Sequence, residues 1–126
     1  MKNKRRRIIA ATLYVLFVLW ITVFSREPGT IRVFRGLFWE IEMGYWNNII
    51  QNIVLFVPLG VIIGGKKGIV AGVFLSMGIE AIQYIAALGY CELDDLLNNT
   101  IGAAIGSLLV SKYEERIEQL CTKLKE

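Results

Sequence analysis

The chain has 126 residues, of which 55% are hydrophobic, and a formal net charge of +3. This length supports a single domain, residues 1–126, and leaves no room for a separate soluble module. The sequence contains no histidine, which removes the commonest general base and the commonest transition-metal ligand. We therefore predict neither a bound metal nor a cofactor.

The first apolar run, residues 8–24, predicts a membrane-spanning helix. It carries no charge and approaches the ~20 residues that a helix needs to cross a bilayer. The basic residues before it also fit a secretory signal, with Val23-Phe24-Ser25 as a weak cleavage site. The run is long for the apolar part of a signal, so we expect an uncleaved anchor helix.

The segment between the first and second spans predicts an amphipathic helix on the outer membrane surface, or capping the bundle there. Pro28 and Gly29 should end the first span. Apolar residues then recur at helical spacing up to Tyr45, with charges between them, and Trp39 and Trp46 suit the headgroup region. An interfacial loop without a recognition role is the alternative.

Lysine and arginine cluster before the first span, at Lys66-Lys67 and after Ser111. The positive-inside rule places these three clusters, and hence both termini, in the cytosol. That arrangement requires an even number of spans, and we predict four. The predicted spans are residues 8–24, 49–65, 68–87 and 94–110.

The remaining charged and sulfur-bearing features support this topology. The tail beyond Ser111 predicts a short cytosolic amphipathic helix. The basic N-terminus could also bind nucleic acid, but beside a spanning helix contact with anionic lipid explains it better. We therefore predict no nucleic-acid partner. Cys91 and Cys121 fall on opposite sides of the membrane, so no disulfide is expected.

Pairs of glycines four residues apart occur in each of the last three predicted spans. Such pairs let helix backbones approach closely in lipid, so these helices should pack together. The pairs are Gly60/Gly64, Gly68/Gly72 and Gly102/Gly106.

Polar residues of the same three spans converge on one layer in the outer half of the bilayer. At ~1.5 Å per residue, each lies within roughly 11 Å of the outer end of its helix. Polar groups at membrane depth are expensive and usually have a partner or a function. The layer is formed by Asn52, Glu80, Gln83, Asp95 and Asn99.

Asp94 and Asp95 each stand four residues before an asparagine, Asn98 and Asn99, which gives two acid–amide pairs at a helix start. One aspartate could instead be a helix N-cap. No span offers a basic partner for Glu80, so we expect it to be protonated and hydrogen-bonded to one of the layer's amides, those of Gln83, Asn52 and Asn99. A polar lock that fixes helix register is the alternative to a functional role.

Three motifs in order resemble the VanZ-like membrane proteins, whose type member is associated with teicoplanin resistance. They are Asn52–Gly60 with its central Pro58, Ser76 with Glu80 and Gln83, and the run Glu92–Gly102, within about residues 47–109. The resemblance implies four spans and a cell-envelope role. It also implies that the characteristic polar positions bind ligand: Asn52, Glu80, Gln83, Asp94, Asp95 and Asn99.

The sequence departs from the VanZ-like pattern at two places, and at a third position, that of Asn98, the pattern assigns no role to the residue. Members often carry an arginine where this chain has Gly89-Tyr90-Cys91, and an aspartate where Glu92 stands. Asn98 looks like a filler position.

The resemblance and the polar layer together predict a cell-membrane protein that lowers susceptibility to teicoplanin-class lipoglycopeptides. An outer-leaflet polar pocket would engage membrane lipid, a lipid-linked cell-wall precursor or the drug, and the sequence leaves open whether the protein is an oligomer. The alternative is an intramembrane enzyme in which Glu80, Asp94 and Asp95 act as a base or hold Mg²⁺. We favour a protein that is not an enzyme, because no nucleophile–base pair is evident. A small transporter is the third hypothesis.

Overall fold

The computed structural model describes residues 4–29 and 32–126 and is predominantly helical. Helix α1 spans Lys4–Leu19 and continues as a π-helical segment, Trp20–Phe24. The remaining elements, in chain order, are β1 (Val33–Arg35), α2 (Trp39–Met43), α3 (Trp46–Ile63), α4 (Gly65–Ile85), β2 (Tyr90–Glu92) and α5 (Leu93–Lys125).

Within the described residues, three helices are long and apolar enough to cross a membrane: Lys4–Phe24, Trp46–Ile63 and Gly65–Ile85. They coincide with the first three predicted spans to within a few residues. The fourth predicted span forms the first half of α5, which is a single helix of 33 residues. The tail beyond Ser111 is helical, as predicted, and it continues the same helix because nothing near Ser111 breaks it.

Helix α5 packs against α3 with the two backbones in direct contact. A Cβ atom on Gly106 would overlap the carbonyl oxygen of Val57, and one on Gly102 would overlap that of Ile53. Likewise, a Cβ on Gly60 would overlap the Ala103 carbonyl oxygen. These glycines therefore allow close helix packing, as their spacing predicts, because a side chain at Gly60, Gly102 or Gly106 would keep the two backbones apart.

The apolar core lies where α1, α3, α4 and α5 meet, and consists of Val18, Phe56, Leu59, Ile79 and Ala103. The Tyr14 hydroxyl of α1 donates a hydrogen bond of 2.6 Å to the Leu55 carbonyl oxygen of α3. Outward-facing side chains such as Phe74 and Ile85 are largely exposed, as suits helices that meet lipid.

Strands β1 and β2 pair in parallel, with Val33 opposite Tyr90 and Arg35 opposite Glu92. We call the end of the bundle that carries both strands and α2 the sheet end. The prediction of an amphipathic helix before Tyr45 is wrong, since only Trp39–Met43 is helical in the described part of this segment. Ile31, where the predicted pattern begins, lies outside the described residues. Left-handed backbone at Phe38 and Gly44 limits that helix at both ends.

The opposite end of the bundle contains the turn between α3 and α4 and the start of α1. Lys4, Arg7 and Lys67 line one cavity there. Arg7 also forms an ion pair of 2.9 Å with Glu114 in the second half of α5. The three basic clusters of the sequence therefore share one end, as they must if all face one side of a membrane.

Candidate functional site

Carboxylate and amide side chains meet at the sheet end in a group that we call the acid–amide cluster: Glu40, Asn48, Asn52, Glu92, Asp94, Asp95 and Asn98. Glu40 is at its centre and is fully buried. Its Oε2 accepts a hydrogen bond of 3.0 Å from the amide of Asn98, and its Oε1 accepts another from Asn48. The cluster thus joins α2, α3 and α5.

Asp94 holds the segment at the start of α2 in place. Its Oδ1 accepts a hydrogen bond of 2.6 Å from the Phe38 N–H, and its Oδ2 accepts one of 2.9 Å from the Glu40 N–H. Asp94 therefore caps α2 rather than its own helix. The residue that precedes α5 is Glu92, whose side chain makes no capping bond.

Three carboxylates approach one another beside this cap. Oxygen atoms of Glu40, Glu92 and Asp95 all lie within 4.8 Å of one another. Asp95 also accepts a hydrogen bond of 2.6 Å from the Asn52 amide. Such an arrangement can accept several hydrogen bonds from a polar ligand, and its oxygen atoms are of the kind that hard cations prefer.

Arg35 lies at the edge of the cluster, beside Glu92. Its guanidinium lies 2.9 Å from Oε1 of Glu92 and stacks between the rings of Trp39 and Tyr90, at 3.7 and 3.5 Å from their centroids. Burial raises the pKa of Glu92, the Glu40 carboxylate raises it further, and Arg35 opposes both. Burial prevails because the carboxylate is almost wholly removed from water.

The raised pKa of Glu92 predicts that the fold loses stability as the pH rises above the ordinary pKa of this group. The contribution of this group is fully present below its ordinary pKa of 4.5 and is lost as the pH rises through the higher folded-state value. Replacing Glu92 by Gln keeps the side chain neutral at every pH. We therefore expect the free energy of unfolding to fall less steeply for Glu92→Gln than for the wild type as the pH rises above 4.5. Denaturation in detergent at a series of pH values measures both slopes, and equal slopes would contradict the prediction.

Glu80 and the deeper amides have partners other than those expected. Oε2 of Glu80 accepts a hydrogen bond of 2.9 Å from the Glu92 N–H, so the expectation of an amide partner is wrong. The Gln83 amide donates to the Thr22 carbonyl oxygen at 3.0 Å. The Asn99 amide donates to the Ser76 hydroxyl at 2.9 Å. Within the described residues, the side-chain oxygens of Gln83 and Asn99 are buried without a partner.

The structure thus divides the six sequence-predicted site residues into two groups. Asn52, Asp94 and Asp95 belong to the acid–amide cluster, and Glu80 touches it through the backbone of Glu92. Gln83 and Asn99 instead join α4 to the neighbouring helices.

Sequence reasoning missed several members of the cluster, above all Glu40. The local sequence gives no signal for its burial, because glutamate is almost never fully buried unless it is paired, and its partners Asn48 and Asn98 lie on other helices. Asn98 is not a filler position, since its amide binds Glu40. Its spacing of four from Asp94 was the signal for that role.

Arg26 occupies the neighbourhood in which the family pattern leads one to expect an arginine. A Cβ on Gly89 would lie 3.1 Å from Nη1 of Arg26. The backbones also meet nearby, since the Gly29 N–H donates to the Ala87 carbonyl oxygen at 2.7 Å. A guanidinium from the segment after α1 therefore lies beside the position where this chain has glycine.

An open groove adjoins the cluster at the sheet end, with a volume of about 780 Å³. It is lined by Arg35, Trp39, Gly44, Tyr45, Trp46, Asn47, Asn48, Gln51, Tyr90 and Glu92. Asn48 and Glu92 belong to both groove and cluster, so a molecule in the groove would reach the cluster's edge.

These features define a helical protein with three membrane-compatible helices and a polar cluster at one end. The family model VanZ/LLP1 matches residues 11–114, and the chain belongs to that family, as its motifs predict. The chain is 24% identical over 120 residues to Protein VanZ of Enterococcus faecium, covering 85% of this chain and 74% of that protein. No solved structure matches significantly.

Proposed function

We propose that this chain is a multi-pass protein of the cell membrane that lowers susceptibility to teicoplanin-class lipoglycopeptides. Its membership of the VanZ/LLP1 family and its similarity to Protein VanZ support this proposal. So do the three helices that could cross a membrane.

In the proposed topology the first half of α5 is a fourth span, and the sheet end faces outward. The basic residues at the opposite end support this orientation, since positive charge favours the cytosolic side. Helix α3 runs between the two ends over 18 residues, about 27 Å, which is close to the thickness of the hydrocarbon core. Both termini are then cytosolic.

The observation that carries the proposed mechanism is the meeting of Glu40, Glu92 and Asp95 next to an open groove at a single end of the bundle. Lipoglycopeptides act at the outer membrane face on lipid-linked cell-wall precursor. A polar site there, flanked by apolar helices, could bind the headgroup of that precursor or the drug while lipid chains lie against the spans. The cluster's carboxylates and amides supply the hydrogen bonds.

The approach of three carboxylates favours one alternative, a carboxylate-dependent enzyme acting on a lipid-linked envelope substrate. Glu40, Glu92 and Asp95 offer oxygen ligands for a hard cation such as Mg²⁺, in place of the expected Glu80 and Asp94. Metal-dependent turnover of such a substrate by the purified protein, abolished in Asp95→Asn, would establish this alternative.

The first test compares the wild type with Glu80→Gln at matched membrane levels in a Gram-positive host. Gln retains an acceptor oxygen for the Glu92 N–H but can neither take up nor release a proton. We expect the wild type to raise the inhibitory concentration of teicoplanin at least about fourfold and to leave that of vancomycin nearly unchanged. Glu80→Gln should lose most of this protection, equivalent to about 1 kcal/mol of lost interaction.

Glu118→Gln is the matched control, because Glu118 is exposed on the second half of α5, far from the cluster. Protection by all three proteins would remove Glu80 from the site. Protection by none of them, at confirmed membrane levels, would refute the proposed function.

A further inference from the structure

The groove at the sheet end is lined by both aromatic rings and side-chain amides. Tyr45, Trp46 and Tyr90 each expose about half of their surface, and Asn47 and Gln51 line the same groove. Aromatic rings are enriched at the level of the lipid headgroups, and side-chain amides offer hydrogen-bond donors and acceptors at the same level. This mixture therefore indicates a surface for a polar group at the membrane–water interface rather than for acyl chains.

Two amides in the groove are free to bind. Among the hydrogen bonds of the described residues, none involves the side chain of Asn47 or Gln51. Asn48 donates to Glu40 and keeps its oxygen as an acceptor at the groove wall. Each amide offers both donors and acceptors, so the groove can match hydroxyl and acetamido groups.

The charges that line the groove cancel. Arg35 and Glu92 form an ion pair of 2.9 Å, and both faces of the Arg35 guanidinium are covered by Trp39 and Tyr90. Because this cation is already engaged, the groove has little to offer a phosphate group. A neutral ligand fits it better.

A sugar ring has an apolar face of C–H groups and a rim of hydroxyl groups. An exposed ring such as that of Trp46 can stack on the face while neighbouring amides bind the rim. The groove volume of about 780 Å³ lies within the ~300–1,000 Å³ range of small-molecule sites, which leaves room for two sugar rings.

We propose that this groove binds an N-acetylated saccharide, the headgroup sugar of a lipid-linked envelope precursor. The inference rests on the proposed function for its placement at the outer membrane face. It goes further in naming the ligand class and the residues that select it: Trp46 by stacking, and Asn47 and Gln51 by hydrogen bonding.

The test is a fluorescence titration of the purified full-length protein in lipid nanodiscs. The probe is N,N′-diacetylchitobiose, and cellobiose is the matched disaccharide without acetamido groups. We expect a saturable change in tryptophan emission with a dissociation constant on the order of millimolar, and at least about tenfold weaker binding of cellobiose. The same titration is then carried out with the lipid-linked precursor and with a lipoglycopeptide, each with and without its sugars. The comparison shows which of these two molecules supplies the bound sugar.

Variants assign the binding to the groove. Trp46→Ala and Gln51→Ala change exposed side chains, and each should weaken binding of the acetylated sugar about tenfold or more. Trp20→Phe, which alters an exposed tryptophan outside the groove, should leave it unchanged. Isothermal calorimetry replaces fluorescence for the tryptophan variants.

The absence of saturable binding of any sugar by the folded wild type would overturn the proposal, as would equal affinity in Trp46→Ala and Gln51→Ala. Equal affinity for the two disaccharides would overturn the selectivity for N-acetylated sugars. The drug-susceptibility test is independent: sugar binding without protection refutes the resistance function alone, and protection without sugar binding refutes only this inference.

Discussion

Gly106→Ala is expected to destabilise the protein by about 1–3 kcal/mol, although it adds a single methyl group. The new Cβ would overlap the Val57 carbonyl oxygen on α3. Relief requires α3 and α5 to separate, because a backbone carbonyl cannot rotate away as a side chain can. Separation also weakens the neighbouring contacts of Gly102 and Gly60, which depend on the same approach.

The matched control is Gly78→Ala. A Cβ on Gly78 would meet no atom within 4 Å, and the position lies inside α4. Alanine there should be neutral or stabilise the helix by up to about 1 kcal/mol. Thermal unfolding of both variants in the same detergent, followed by tryptophan emission, measures the difference. A melting temperature of Gly106→Ala equal to that of Gly78→Ala would show that α3 and α5 are not in backbone contact.

Asp94→Ala is expected to release α2 from the bundle. Two backbone N–H groups, those of Phe38 and Glu40, would lose a charged acceptor in a buried setting. Bonds to charged groups contribute about 1.5–3 kcal/mol each, so the loss of two such bonds should cost about 3–6 kcal/mol locally. Hydrogen exchange should show it as a roughly 150-fold or greater acceleration at residues 38–45, with α3 and α5 unaffected.

Asp94→Asn should have an intermediate effect, since its side chain keeps one acceptor oxygen. Glu42→Ala is the control on α2 itself, because Glu42 is exposed. Loss of Asp94 should also weaken sugar binding, since α2 and the turn after it carry Trp39 and Tyr45 into the groove. Unchanged exchange at residues 38–45 in Asp94→Ala would mean that the capping bonds contribute nothing measurable.

The helices were predictable from the sequence because their signals are local. Predominantly apolar runs, residues 8–24, 49–65 and 68–87, predicted the helices Lys4–Phe24, Trp46–Ile63 and Gly65–Ile85 to within a few residues. Glycines at a spacing of four predicted that the helices that carry them pack closely together. Periodicity failed before Tyr45, where apolar residues at helical spacing form β1 and a short helix, because hydrogen bonds to β2 and Asp94 outweigh the local preference. A pattern within one segment cannot reveal a partner more than fifty residues away.

The candidate site was predictable in part for the same reason. The acids and amides of α3 and α5 stand at helical spacing, and Asn52 does bind Asp95 as convergence implied. Glu40 and Arg35 come from the irregular segment and reach the cluster only through β1 and α2. Contacts made in the folded chain, and not spacing along the sequence, therefore determine that Glu40 is the central carboxylate and that Arg35 is its cationic neighbour.

The long separation between Glu40 and its partners sets an order of events during synthesis. Asp94 follows Glu40 by 54 residues and Asn98 follows it by 58. At ~5–20 residues per second, the ribosome needs roughly 3–10 s to bridge that interval. Throughout this time the N–H groups of Phe38 and Glu40 lack their carboxylate acceptor, and the Glu40 carboxylate can bind Asn48 but not Asn98. The residues that line the groove are all synthesised by residue 92, yet Asp94 can hold α2 beside them only once α5 has begun. A chain interrupted before residue 93 would therefore carry the side chains of the ligand surface without the bonds that fix α2 in place.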